Sequence, residues 1–155
     1  MKIEKKENVF HIDGDITEFS EFGELQSEET AIEVNLGKVL RLNSMGIRKY
    51  LKFIIDLAPK SLILHEIRPD FVNNINVIPQ MLGAAGSRSK VISLYLPYFC
   101  EECKSETEVL NKVSELDFNG EGEPSLSQPN CPMCEQVLES DFPEIEYFSF
   151  LDREY

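Results

Sequence analysis

Four cysteines carry the strongest chemical signal in this chain. They stand as two C-x-x-C pairs, Cys100/Cys103 and Cys131/Cys134, with 27 residues between the pairs. A C-x-x-C turn sets two thiolates on one side of a tight backbone knuckle. Two knuckles bring four soft ligands into a tetrahedron, which suits zinc. A proline precedes the first pair (Pro97) and another sits inside the second (Pro132), as rigid turns would want. Such a closed set leaves no open coordination position, so its role is structural. Iron takes the same ligands. Two disulfides are a further reading, poorly matched to a reducing compartment. A redox C-x-x-C would stand alone, and here there are two.

Ser44 is the second residue with chemistry to offer. It follows Asn43 at the start of a helical pattern. A serine there has its hydroxyl beside unpaired backbone N–H groups and the positive end of the helix dipole. A phosphate added at that point is accepted electrostatically. The plainer reading is that Asn43 or Ser44 is only an N-cap, as at most helix starts. His11 and His65 fall on expected strands, with no nucleophile or acid spaced to use them. Asp13 and Asp15 flank Gly14 in an ordinary turn. All four cysteines are used by the pairs, so no thiol is left as a nucleophile. The expectation is a protein that is not an enzyme.

These residues need elements to position them. Val9–Ile12 reads as a strand after a turn at Glu7-Asn8. Residues 17–30 carry Phe19, Phe22 and Leu25 at three-residue steps, which predicts a short helix. The run from Ala31 to Leu36 is a buried strand, with a turn at Gly37-Lys38. Ile47, Tyr50, Leu51, Ile54, Leu57 and Ala58 then share one helical face, and Pro59 ends the pattern. Arg48, Lys49, Lys52 and Asp56 fall on the other side. Ser61–Ile67 is a second strand, and Asp70 is the expected cap of a helix that Pro79 kinks or ends. A loop at Gly83–Ser87 precedes a third strand, Val91–Leu96. The alternation implies an α/β architecture with helices packed against parallel strands. Lys104–Leu116 leans toward strand, 119–130 reads as loop, and Tyr147–Leu151 reads as a closing strand.

Length and charge bound the rest. The chain has 155 residues and 42% apolar side chains, enough for one domain with a small appendage. No segment approaches the roughly 18 apolar residues of a membrane span. The charged N-terminus, Met1 to Glu7, has no apolar secretion segment, so a cytoplasmic location is expected. The formal charge is −13. Residues up to Phe99 hold 13 acidic and 12 basic side chains, a net of −1; those from Cys100 onward hold 15 and 3, a net of −12. An acidic arm repels phosphate backbones, which disfavours nucleic acid. It suits a basic protein partner or a solvated surface.

The first 96 residues resemble the STAS domain, the fold of bacterial anti-sigma factor antagonists. Val9–Asp15 is similar to that family's second strand and its glycine-containing exit. Leu42-Asn43-Ser44-Met45-Gly46-Ile47 resembles its Asp-Ser-x-Gly helix start, with Asn43 in place of the usual Asp. The resemblance implies a STAS-like mixed sheet with helices packed against it over residues 1–97. It also implies that Ser44 is the phosphorylation site of a partner kinase. Asn43, Ser44, Met45, Gly46, Arg48 and Lys49 then form the docking surface for an anti-sigma-like or other signalling protein. Residues 98–155 stand outside the resemblance as an acidic extension. The spacing of their cysteine pairs leaves room for a strand pair and a loop, as in a zinc ribbon. The implied function is a non-enzymatic regulatory binding module with a structural zinc site. The alternatives are a zinc-ribbon adaptor for nucleic acid or a transcription-related complex, and a STAS-derived scaffold with no phosphoswitch. A homodimer is a further candidate assembly.

Overall fold

The computed structural model describes residues 1–25, 28–57, 60–83, 87–118, 124–126 and 128–151. Strands β1 (Lys2–Lys6) and β2 (Val9–Asp13) form an antiparallel hairpin. Its turn uses Glu7 in the left-handed region, with φ +54°. β3 (Ala31–Lys38) joins β2 in parallel, and β4 (Ser61–His65) joins β3 in parallel. The short β5 (Lys90–Val91) completes a five-stranded mixed sheet in the order β1-β2-β3-β4-β5. Helix α1 (Ser44–Leu57) links β3 to β4, and α2 (Pro69–Val77) follows β4.

The strand order is monotonic, so each crossover steps the same way. Right-handed crossovers then place both helices on one face. Burial agrees with this. Ile32, Val34 and Leu36 of β3 are buried with Leu62 and Leu64 of β4, while Glu33, Asn35 and His65 between them are half-exposed. Tyr50, Ile54 and Leu57 of α1 and Phe71, Val72 and Ile75 of α2 cover the buried face. His65 pairs through Nε2 with Glu33 Oε2 at 3.0 Å on the open face.

The third expected strand, Val91–Leu96, is divided. β5 ends at Val91, and β6 (Ser93–Cys100) belongs to a second, three-stranded sheet. Ile92 serves both sheets: its N–H donates to Leu64 O at 2.8 Å, and its carbonyl accepts from Val113 N at 2.9 Å. β6 pairs with β7 (Ser105–Lys112) from Ser93↔Lys112 to Cys100↔Ser105 and runs through residues 97 and 98 without a break. β10 (Glu139–Ser140) lies on its other edge. β8 (Asp117–Phe118) and β9 (Pro124–Ser125) form a small separate ladder, so a strand occupies part of the expected 119–130 loop.

Two other expectations fail for local reasons. No helix forms in residues 17–25. The chain makes two separate turns instead, Ser20 N donating to Thr17 O and Leu25 N to Phe22 O, both at 3.0 Å, and Gly23 between them disfavours a continuous helix. Phe22 and Leu25 still reach the core, but Phe19 stays exposed. The closing segment is a short helix, α3 (Glu144–Tyr147), followed by turns, not a strand. Its aromatic side chains decide this: Tyr147, Phe148 and Phe150 are all buried, which an alternating strand with one solvent face does not allow. Pro79 does end α2, and a single 3-10 turn, Pro79–Leu82, follows. The expected roles of Ala58 and Pro59 lie outside the described residues.

One apolar core runs from Phe10 to Phe150 and includes Cys100, Cys131 and Leu138. The acidic arm therefore packs on the body. Tyr147 Oη donates to Tyr95 O at 2.9 Å, and Asn76 Nδ2 donates to the carbonyls of Glu146 (3.1 Å) and Tyr147 (3.0 Å).

Candidate metal centre and the Ser44 junction

Each C-x-x-C pair spans a tight turn. Cys100 ends β6, and the chain turns through Glu101, Glu102 and Cys103 before β7 begins. The second pair forms the matching turn: Glu135 N donates to Cys131 O at 2.9 Å, and Cys131 N donates to Gln136 O at 2.7 Å. The residue directly after each pair sits in the left-handed region, Lys104 at φ +52° and Glu135 at φ +64°. Two knuckles of one geometry thus face each other.

All four Sγ atoms lie within 4.8 Å of one another. Cys100 Sγ and Cys134 Sγ are 3.5 Å apart, and Cys103 Sγ and Cys131 Sγ are 3.9 Å apart. A tetrahedron with metal–sulfur bonds of about 2.3 Å puts its sulfurs about 3.8 Å apart, so the set fits a metal ion. The contacts run between the knuckles, and all four thiols are free. Cys100 and Cys131 are buried, Cys103 and Cys134 half-buried. The backbone amides of Met133 and Cys134 hold the Cys131 thiol down at about 7. Its hydrogen bond with Cys134, above all, pushes the Cys103 thiol up to about 12. Crowded sulfurs share protons in this way, and a bound cation replaces those protons.

The Ser44 junction is also well built. Asn43 is the N-cap: its Oδ1 accepts from Gly46 N at 2.8 Å, and its carbonyl accepts from Ile47 N at 2.9 Å. Ser44 opens α1 and is exposed. Among the described residues its hydroxyl has no hydrogen-bond partner. Three carboxylates brace the preceding loop. Asp15 Oδ1 accepts from Arg41 N (3.1 Å), Asp70 Oδ2 from Leu42 N (2.7 Å), and Glu18 Oε2 from Asn43 Nδ2 (2.6 Å). Asp70 was expected to cap α2. It lies in that helix's first turn instead, while Arg68 is the N-cap and makes no side-chain cap bond. Asp70 is spent on the Ser44 loop.

Gly46 has a packing reason. A Cβ there would collide with the backbone of Ile16 and Thr17, so α1 rests directly on that segment. Phe19, Leu40 and Met45 are exposed apolar residues on the segments that meet at this junction. Sequence reasoning named Met45 but missed Glu18, Phe19 and Leu40. Their one signal was position, at the exits of β2 and β3. Lys49 and Lys52 line a groove along α1. The Asn43 hydrogen bond holds the Glu18 carboxyl low, and Lys49 also lies near enough to help.

A second cluster went unread. Arg68 stacks its guanidinium over the Tyr95 ring at 3.7 Å, donates from Nε to Gly37 O at 2.7 Å, and pairs with Glu108 Oε2 at 2.6 Å. It ties β3 to the β6–β7 hairpin that carries the first knuckle.

No family model, curated protein or solved structure significantly matches the chain. No helix among the described residues is long and apolar enough to cross a membrane.

Proposed function

We propose that the protein is a non-enzymatic regulatory binding module of the STAS type, docking a signalling protein at the Ser44 junction. The observation that carries this reading is the exposed Ser44 on the first turn of α1, without a hydroxyl partner among the described residues, with exposed Phe19, Leu40 and Met45 on the segments that join there. Phosphate at Ser44 adds nearly two negative charges to that surface and changes its affinity. Zinc is the metal of the four-cysteine site. It holds the arm, and with all four positions taken by sulfur it does no chemistry of its own.

One observation favours a scaffold without a switch. Glu18 stands against Asn43, so a phosphate on Ser44 would meet a carboxylate at close range. Site-specific photocrosslinking from position 45 in the native host tests the docking reading. The expected result is one signalling protein whose capture falls at least tenfold with Leu40→Glu and changes with Ser44→Asp. Capture indifferent to both changes contradicts it.

A further inference from the structure

A concavity separate from the cysteine knuckles runs along α1. It holds about 520 Å³ between α1, the start of β3 and the 20–25 segment. That volume falls within the range of small-ligand sites. Its floor is apolar, made by Phe22, Leu25, Ile32, Phe53 and Leu57. The Phe22 and Phe53 rings stack at 5.4 Å and 24° and form one flat wall. Lys49, Lys52 and Asp56 charge the lining along α1, while Lys60, also at the rim, is already engaged within the chain. Among the described residues, Lys49 and Lys52 make no ion pair within the chain. Ser20 also lines the groove, but its hydroxyl is used by Thr17 N and by Asp15 O.

We propose that this groove binds a long-chain carboxylate. The apolar floor takes the chain, and the lysines take the head. No uncommitted neutral hydroxyl is identified to read a sugar or an amide, so recognition rests on charge and apolar area. Shape argues for a chain over a compact ring. The lining residues from Lys49 to Leu57 follow about 12 Å of helix axis. A cation is disfavoured by the lysines, and a neutral alcohol gains only the floor.

The test is an NMR titration of the full, metal-loaded chain with decanoate below its aggregation range. Decanol, decyltrimethylammonium, butyrate and adenosine monophosphate serve as comparison probes. Decanoate should saturate and shift the signals of Gly23, Lys52 and Phe53. It should bind about tenfold more tightly than decanol, while butyrate and the ammonium should show no saturable shift. Lys52→Gln should weaken decanoate about threefold. Gly23→Leu should block it, since a side chain there meets nothing within 4 Å and stands at the groove wall without disturbing the fold. The inference is overturned by equal binding of decanol, by saturable binding of the ammonium, or by decanoate shifts that map elsewhere. Adenosine monophosphate saturating the same residues where decanoate does not would assign the groove to nucleotides and overturn it as well.

Discussion

Tyr50 keeps its hydroxyl in aromatic surroundings. Its ring meets Phe22 and Phe71 edge-on at 5.6 and 5.5 Å, and Phe53 at 6.0 Å. The Oη is buried and has no hydrogen-bond partner among the described residues. Burial alone drives its pKa upward, so the phenol stays neutral. Leaving a buried donor unpaired costs about 1–3 kcal/mol. Tyr50→Phe should therefore stabilise the protein by about 1 kcal/mol, read as a higher urea midpoint at unchanged slope. A loss of stability would mean that the hydroxyl has a partner. Glu135 poses the backbone counterpart. A left-handed non-glycine residue costs about 1–2 kcal/mol, and glycine gives part of that back in chain entropy. Glu135→Gly should gain about 0.5 kcal/mol and keep the metal. Gly46 runs the other way. Its Cβ position is filled by the Ile16–Thr17 backbone, so Gly46→Ala should cost about 2 kcal/mol, seen in the same melt.

Arg68 links the two sheets, and its value belongs to the elements it joins. It offers one stacking contact, one carbonyl bond and one ion pair, with only 22% of the side chain exposed. Arg68→Ala should cost about 2 kcal/mol, and Arg68→Lys should not recover it, because an ammonium neither stacks flat nor forks. Equal stability of Lys and Arg at this position would contradict the clamp. Legibility in the sequence followed the same division between local and distant. α1 was readable because Asn43 caps it and its apolar residues recur at helical spacing. β3 and β4 were readable as β-branched and apolar runs. The Val91–Leu96 run was misread because apolarity does not record a change of sheet; the switch at Ile92 depends on partners near Leu64 and Val113. Tyr147–Leu151 was misread because a run this apolar, interrupted only by Ser149, fits a buried strand or a buried turn equally. Asp70 looked like a cap from its place before Phe71, but its acceptor went to a loop 28 residues away. The four-cysteine cluster was legible because C-x-x-C is a local geometry, and only the packing of its two halves needed the fold.

Charge divides this chain but packing does not. The stretch from Cys100 onward carries a net of −12, yet its apolar residues share one core with the near-neutral body. A segment this acidic opposes its own compaction, and the cysteine site lies where the chain must be held against that repulsion. Removal of the metal should therefore release the arm and weaken the body with it. With excess chelator the thermal midpoint should fall by at least about 10 °C, and exchange protection of β6 and β7 should be lost before that of β3. Protection lost equally everywhere would mean that the metal holds the whole fold. Cys100, Cys103, Cys131 and Cys134 are proposed to form one closed zinc site. Native mass spectrometry of the chain isolated from its own host, with fragments mapped across the cysteines and Ser44, tests it most directly. One zinc per chain, no disulfide, and loss of the zinc in Cys131→Ser are expected. A metal-free chain with two intact disulfides would contradict it.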